Sequence, residues 1–236
     1  MIIGSNSENK ETEKRIAITP EITKKYTSLG FEVNLIQNYG THLGFDDSQY
    51  KDSGAKIIDD EKHLLNNSNI IVQISLPSTN QLSLIKENQT LIGSFNFYQN
   101  KEKIQNLSKK NINVFSLELL PRITRAQSMD ILSSQANLAG YKAVIESFAF
   151  FEKAIPMMMT AAGTVPPAKV LVVGAGVAGL QAIATAKRMG AIVFATDVRM
   201  ASKEQVESLG GKFLTVEDSD NLETADGYAK EVGENF

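Results

Sequence analysis

The chain has 236 residues, of which 42% are hydrophobic and 22% are charged, with a formal net charge of −3. These values exclude a disordered or collagen-like chain, and 24 Lys and Arg against 27 Asp and Glu leave no basic excess for nucleic-acid binding. Because the chain has no cysteine and only 2 histidines, disulfide frameworks, thiolate zinc sites and cysteine nucleophiles are excluded, and we expect no metal site.

The amino-terminal segment, MIIGSNSENKETEKR, is polar and acidic after its first few residues. It therefore lacks the apolar core of a signal peptide and the acid-poor character of a transit peptide. No apolar run approaches the ~18 residues that a membrane helix needs. We expect a cytoplasmic chain that does not itself insert into a membrane.

Short β-branched runs alternate with stretches of helix-forming residues along the chain. The runs predict strands over 31–36, 69–75, 90–95, 113–119, 169–173 and 191–196. Helices are predicted over 21–29, 61–66, 82–88 and 101–110, and Gly30 follows the first of them at the position of a C-cap glycine. Because such short connections favour parallel βαβ units, the predicted fold class is α/β.

A longer helix is predicted over about 133–153, because its apolar residues form a broad stripe that we expect to be buried. The stripe consists of Leu138, Tyr141, Ala143, Val144, Phe148 and Phe151. Pro156 and the pair Pro166 and Pro167 end any helix after it. We expect the methionines at 157–159 to pack in a core or at a domain interface.

The sequence therefore predicts two Rossmann-like domains with parallel sheets, joined by the long helix. The first domain covers 1–135, a linking helix and connector cover 136–165, and the second domain covers 166–236. The stretch after Pro166 is shorter than the ~100 residues of a typical domain, so we expect the second domain to be incomplete in this chain.

The segment VLVVGAGVAGLQAIATAK, residues 170–187, contains an apolar strand, the pattern Gly174-x-Gly176-x-x-Gly179 and an Ala-rich helix. In this pattern Gly174 permits a tight turn, Gly176 lets the backbone approach a pyrophosphate, and Gly179 permits close contact between helix and strand. The helix N-terminus offers N–H groups and a favourable dipole to phosphates. The segment predicts a dinucleotide-binding site.

The next predicted strand ends in Asp197, close to the ~20-residue spacing of a ribose-binding acid in such sites. Asp197 is expected to accept both ribose hydroxyls and to repel a 2′-phosphate. NAD(H) should therefore bind in preference to NADP(H), although the nearby Arg199 opposes that repulsion. The alternative is a structural Asp at the end of a strand.

A second group of polar residues lies between a predicted strand and the long helix, in the segment PRITRAQSMDILSSQ at 121–135. Arg122 and Asp130 could pair, while Gln127 offers an amide and Ser133 a hydroxyl, which suits the binding of a nicotinamide carboxamide. Composition alone favours a plainer alternative, with Asp130 or Ser133 as a helix N-cap and Arg122 as a surface charge.

Several segments strongly resemble the NAD(H)-binding domain I of proton-translocating nicotinamide nucleotide transhydrogenase. They are RITRAQSMDILSSQ, NLAGY, PMMMTAAGTVPP and GVAGLQAIATAKR, which fill most of residues 121–190. KEQVESLGGKF at 203–213 and GYAKE at 227–231 continue the match, whereas KRIAITP at 14–20 is also similar to alanine dehydrogenase.

The resemblance implies a role for each matching position. The loop that contacts the nicotinamide is implied to consist of Arg122, Gln127, Asp130 and Ser133. The remainder of NAD(H) is implied to be held by Gly174, Gly176, Val177 and Asp197. Tyr228 resembles the tyrosine of a mobile loop that closes over the bound nucleotide.

The resemblance also implies partners. In the family, two domains I form a dimer, and hydride passes to NADP(H), which is held only by a separate domain III. Membrane domain II couples this transfer to proton movement, so the chain would be peripheral at the inner membrane through its partner subunits.

Alanine dehydrogenase is the alternative enzyme, because the segment with Arg15 fits it equally. Its chemistry needs proton-transferring groups, for which that family uses a Lys and a His. The aligned positions here hold Ser75 and Asn96, neither of which transfers protons at neutral pH. Hydride transfer between two nicotinamide rings needs only that the rings lie close together in an ordered arrangement. The sequence therefore favours this transfer over the oxidation of alanine. A non-catalytic NADH-binding module is the remaining alternative.

Overall fold

In a computed structural model of the chain, residues 1–121 and 123–215 are described. The chain divides into two compact units, Met1–Asp130 and Ile131–Phe236. Each unit contains its own parallel sheet, in agreement with the predicted α/β class.

The first unit has a six-stranded parallel sheet in the order β3-β2-β1-β4-β5-β6. Its strands are β1 (Ile2–Ser5), β2 (Glu32–Ile36), β3 (Ala55–Ile58), β4 (Ile70–Val72), β5 (Thr90–Gly93) and β6 (Asn113–Ser116). Its helices are α1 (Pro20–Ser28), α2 (Asp47–Asp52), α3 (Glu61–Asn67), α4 (Thr79–Leu84) and α5 (Phe97–Lys109). This strand order is that of a doubly wound Rossmann-type sheet.

Two apolar clusters form the core of the first unit. One is centred on buried residues of β4, β5 and the neighbouring helices, such as Leu64, Leu65, Ile71, Leu91 and Phe95. The other contains buried residues of β2 and the surrounding segments, among them Val33, Leu35, Tyr39 and Tyr50. Burial of apolar side chains on this scale is the main term that stabilises the unit.

The buried tyrosines Tyr39 and Tyr50 lie edge-on to each other, with ring centroids 5.8 Å apart. The Tyr39 oxygen is 2.8 Å from the Ser5 hydroxyl and accepts the N–H groups of Ala17 at 3.1 Å and Ile18 at 3.2 Å. The Tyr50 hydroxyl donates to the carbonyl oxygen of Ile18 at 3.0 Å. Burial raises the pKa of both tyrosines, so each stays a neutral hydroxyl that fastens the segment after β1 to the sheet.

The second unit has a three-stranded parallel sheet in the order β11-β10-β9 within its described residues. Its strands are β7 (Met158–Thr160), β8 (Gly163–Val165), β9 (Lys169–Val173), β10 (Ile192–Thr196) and β11 (Lys212–Phe213), of which β7 and β8 form an antiparallel hairpin. Its helices are α6 (Ile131–Phe150), α7 (Val177–Arg188) and α8 (Ser202–Ser208). Buried Ile183, Val193 and Val206 lie in its core.

The prediction that the long helix is buried along a broad stripe is wrong for Leu138 and Tyr141, which are 57% and 48% exposed. Only a narrow face of α6 is buried, at Gly140 and Val144. A methyl group on Gly140 would overlap the carbonyl oxygen of Ala178, so α6 and α7 meet backbone to backbone. This close approach at small residues explains why the packed face is narrow.

The expected core packing of the methionines at 157–159 is also wrong, because all three are exposed at the β7–β8 hairpin. The helix predicted over 82–88 lies instead at Thr79–Leu84. It begins earlier because Ser78 and Gln81 form a capping box, in which each side chain bonds the other residue's backbone N–H. Strands β1 and β3 and helix α2 are additions that the sequence patterns do not predict.

Candidate functional site

The predicted glycine pattern forms the connection between β9 and α7. Gly174 follows β9 with a φ of 93°, in the left-handed region that favours glycine, and its N–H donates to the carbonyl oxygen of Thr196 at 2.8 Å. A methyl group on Gly179 would overlap the carbonyl oxygen of Gly174, so the helix begins in direct contact with the turn. Each of these two glycines is required by the local backbone geometry.

Gly176 occupies the N-cap position of α7 and has different surroundings. No heavy atom of the described residues lies within 4 Å of the position that a Cβ would take there, apart from its chain neighbours. Gly176 has no side chain to cap the helix, so the first-turn N–H groups of α7, which begins at Val177, face outward. An open approach to these N–H groups is the geometry that binds a phosphate.

Asp197 lies directly after β10, and its side chain is only 6% exposed. Its Oδ2 accepts the backbone N–H of Ala175, the residue inside the glycine turn, at 2.6 Å. Its Oδ1 accepts the backbone N–H of Arg199 at 2.8 Å. The carboxylate is therefore held beside the turn by two backbone groups.

The Arg199 side chain also contacts Asp197, through Nε to Oδ1 at 2.9 Å and Nη2 to Oδ2 at 3.0 Å. Burial acts to raise the pKa of Asp197, but the bonds from Arg199 and Ala175 outweigh it and hold the pKa below its ordinary value. Asp197 is therefore ionised at neutral pH. Sequence analysis identifies Arg199 as a nearby charge but misses this forked contact, which the Asp-x-Arg spacing could have suggested.

The residues of the predicted nicotinamide loop fall in both units. Gln127 is exposed in a 3₁₀ turn at Thr124–Met129, and its carbonyl oxygen accepts the N–H of Asp130 at 3.2 Å. Asp130 directly precedes α6, and Ser133 lies in the first turn of that helix. Arg122 and Tyr228 lie outside the described residues. The structure thus leaves both hypotheses for this loop, nicotinamide contact and helix capping, as predictions.

The two positions predicted to correspond to the proton-transferring groups of alanine dehydrogenase, Ser75 and Asn96, both lie in the first unit. Ser75 lines a polar cavity of about 420 Å³, together with Glu8, Gln73, Ser78 and Gln81 among others. Asn96 precedes α5 with a φ of 49°, and its amide donates to Gln99 at 2.7 Å. Asn96 is thus engaged locally and does not line this cavity.

Within the described residues, no helix is long and apolar enough to cross a membrane.

Comparison with known proteins matches both parts of the chain to one family. Residues 4–139 match the family "Alanine dehydrogenase/PNT, N-terminal domain", and residues 143–232 match "Alanine dehydrogenase/PNT, C-terminal domain". The two matches together cover nearly the whole chain.

Among the curated relatives, the first part of the NAD(P) transhydrogenase alpha subunit of Rhodospirillum rubrum is 51% identical over 100% of this chain and 63% of its own length. Alanine dehydrogenase of Methanococcus maripaludis is 26% identical over 98% of this chain and 62% of its own length. The chain therefore spans under two thirds of the length of these relatives.

Among solved structures, the transhydrogenase from Sinorhizobium meliloti superposes with a TM-score of 0.87 at 46% identity, over 91% of this chain and 64% of that one. The similarity to transhydrogenases thus exceeds the similarity to alanine dehydrogenase by a wide margin.

Proposed function

Because the chain belongs to the alanine dehydrogenase/PNT family, we propose that it is the NAD(H)-binding component of a proton-translocating transhydrogenase. Hydride would pass between NAD(H) bound by this chain and NADP(H) held by a partner domain III, and membrane domain II would couple the transfer to proton movement. The observation that carries the proposal is the glycine turn at β9–α7 with Asp197 bonded to its backbone.

Each part of that turn has a role in binding. The pyrophosphate would bind at the N-terminus of α7, where Gly176 leaves room and the N–H groups of Val177 and the next residues can donate. The ionised Asp197 would accept the ribose hydroxyls. A bound nicotinamide supplies the hydride-carrying carbon, whereas this chain binds and orients the nucleotide.

The polar loop would orient the nicotinamide ring, as the resemblance implies for Arg122, Gln127, Asp130 and Ser133. Small errors of position at a reacting ring strongly slow its reaction, because the reacting atoms must approach closely in the right orientation. We therefore expect Gln127→Ala and Asp130→Ala to lower the rate of hydride transfer much more than the affinity for NADH. Equal losses in rate and affinity would support a capping or folding role instead.

A homodimer is part of the proposal. The second unit exposes apolar side chains on α6 and on the β7–β8 hairpin, including Leu138, Tyr141 and Met159. In the hairpin, exposed Met158 pairs with exposed Val165, and exposed apolar surface of this kind is a mark of protein association. Sedimentation velocity of the chain should give the mass of a dimer, and Met159→Glu should shift it toward the monomer.

The test of nucleotide binding is titration of NADH, followed by its fluorescence, with Asp197→Ala as the variant. The wild type should bind NADH, bind NADPH less tightly, and lose about tenfold or more in NADH affinity on the substitution, since one charge-assisted contact is worth roughly 1.5–3 kcal/mol. Equal affinity of the intact wild type for NADH and NADPH would contradict the assigned role of Asp197.

The test of catalysis is mixing with a domain III protein. NADPH should reduce an NAD analogue only when both proteins are present, at a rate that depends on both concentrations. An NADH-binding module without enzymatic activity would bind the nucleotide and never transfer hydride. The chain alone should not oxidise alanine, because Ser75 and Asn96 provide no proton-transferring group. Steady alanine oxidation that Asn96→Ala abolishes would favour the dehydrogenase.

A further inference from the structure

The carboxylate of Asp197 is already fully engaged by its own chain. Its two oxygens accept four hydrogen bonds from the described residues: from the N–H of Ala175, from the N–H of Arg199, and from Nε and Nη2 of the Arg199 side chain. A carboxylate has about four lone-pair positions for donors. Two ribose hydroxyls therefore find no vacant acceptor position on Asp197 in this arrangement.

Two of the four bonds can yield without disturbing the carboxylate. The N–H groups of Ala175 and Arg199 belong to the backbone, so they would still hold Asp197 in place if the Arg199 side chain moved away. The Arg199 side chain is 22% exposed, whereas that of Asp197 is 6% exposed, so the guanidinium is the partner that an incoming ligand reaches more easily. The side-chain fork of Arg199 is thus the displaceable part of the arrangement.

We propose that Arg199 is a specificity-determining residue that acts through Asp197. Its guanidinium competes with the ribose hydroxyls for the carboxylate, and it offsets the negative charge that would exclude a 2′-phosphate. The proposal rests on the proposed function, because it assumes that Asp197 binds the ribose of a dinucleotide.

The expected direction of both effects follows from charge and bond counting. For NADH, the two ribose donors must replace the two side-chain bonds from Arg199, so the arginine weakens binding. For NADPH, Asp197 alone would place one negative charge against the phosphate, whereas the Asp197–Arg199 pair is neutral overall and the displaced guanidinium can contact the phosphate. Arg199 therefore lowers the preference for NADH over NADPH.

The experiment is titration of the full chain with NADH and with NADPH, comparing wild type, Arg199→Ala and Arg199→Lys. We expect Arg199→Ala to bind NADH about threefold tighter and NADPH about tenfold more weakly, the range of one partly exposed charge pair. The affinities of Arg199→Lys for the two nucleotides should lie between those of the wild type and those of Arg199→Ala, because an ammonium keeps the charge but lacks the fork.

The matched control is Arg188→Ala, which removes the same charge from an exposed residue at the C-terminal end of α7. It should leave the ratio of the two affinities unchanged. Opposite changes for the two nucleotides are the decisive readout, because a merely structural role of Arg199 would weaken both together.

Three outcomes overturn the inference and are distinguishable. Unchanged affinities of Arg199→Ala for both NADH and NADPH, with wild-type binding of NADH intact, overturn it and leave the proposed function standing. Equal weakening of both nucleotides assigns Arg199 a structural role. A folded wild type that binds neither nucleotide overturns the proposed function and this inference together.

Discussion

The two parallel sheets begin with the same topology but differ in what covers the carboxyl ends of their strands. The first unit contains the strand order β3-β2-β1, and the second unit has the order β11-β10-β9. In each case the strand that comes first in the chain pairs with the one that comes second, and that strand pairs with the third. The connection after the first strand is what distinguishes them. It is long and polar after β1, and short and rich in glycine after β9.

In the first unit the polar connection after β1 contributes a carboxylate that bonds the backbone just beyond β4. The Glu8 carboxylate accepts the N–H groups of Ile74 at 2.6 Å and Ser75 at 3.2 Å, just beyond β4. In the second unit the turn leaves the N-terminus of α7 open and places an ionised Asp197 beside it. The same strand order therefore gives a strand end bonded by a carboxylate of its own unit in one case and a candidate nucleotide site in the other, because function depends on the site and not on the fold.

The largest expected effect is that of Gly179→Val, which breaks the open turn of the second unit. The added side chain would overlap the carbonyl oxygen of Gly174 and force α7 away from the turn. We expect a loss of about 3 kcal/mol in the free energy of unfolding, together with loss of NADH binding. Chemical denaturation followed by circular dichroism measures the first and NADH titration the second. Unchanged stability would show that the turn tolerates the contact.

A smaller effect is expected for Gly176→Ala, which separates binding from stability at the same turn. The φ of Gly176 is −75°, which alanine adopts readily, and the added methyl group meets no heavy atom of the described residues within 4 Å beyond its chain neighbours. Stability should fall by about 1 kcal/mol or less. NADH affinity should fall about tenfold or more, because the methyl group would occupy the approach of the pyrophosphate. Retained affinity would place the phosphates elsewhere.

The contact of Glu8 with the backbone beyond β4 is tested by Glu8→Gln. A neutral amide has one acceptor oxygen, so one of the N–H groups of Ile74 and Ser75 loses its partner. We expect a loss of less than about 1 kcal/mol in the free energy of unfolding at neutral pH, because removing a charge whose burial raises its pKa offsets part of the lost bond, and no change in NADH affinity. The exposed Glu11→Gln, which removes the same charge nearby, is the control and should leave stability unchanged.

The pH dependence of that loss sharpens the test. Burial raises the pKa of Glu8 above its ordinary 4.5, against the opposing effect of the bonds from Ile74 and Ser75. The folded state therefore binds the proton more tightly than the unfolded state. This stabilisation is fully present below pH 4.5 and is lost as the pH rises through the folded-state pKa. The Glu8→Gln variant does not titrate at this position. Its free energy of unfolding should therefore fall further below that of the wild type in acid than at neutral pH.

The sequence predicts the second unit's turn closely, because its determinants are local. A strand, a fixed glycine spacing and a helix follow one another within 169–188, and β9 has the bounds that the sequence predicts. The stripe of α6 is predicted less well, because burial depends on which face meets α7, and that is decided by Gly140 rather than by the large apolar residues. The fork of Arg199 on Asp197 is a side-chain conformation, which composition does not determine.

The edge-on pair of Tyr39 and Tyr50 gives the first unit a spectroscopic label of its own. The chain contains no tryptophan, so tyrosine is its main near-ultraviolet chromophore and does not compete with NADH emission. Of the tyrosines in the described residues, four lie in the first unit, at positions 26, 39, 50 and 98, and only the exposed Tyr141 lies in the second. Near-ultraviolet circular dichroism therefore follows mainly the unfolding of the first unit's sheet, where most of the described tyrosines lie, and NADH fluorescence follows the integrity of the second unit's nucleotide site.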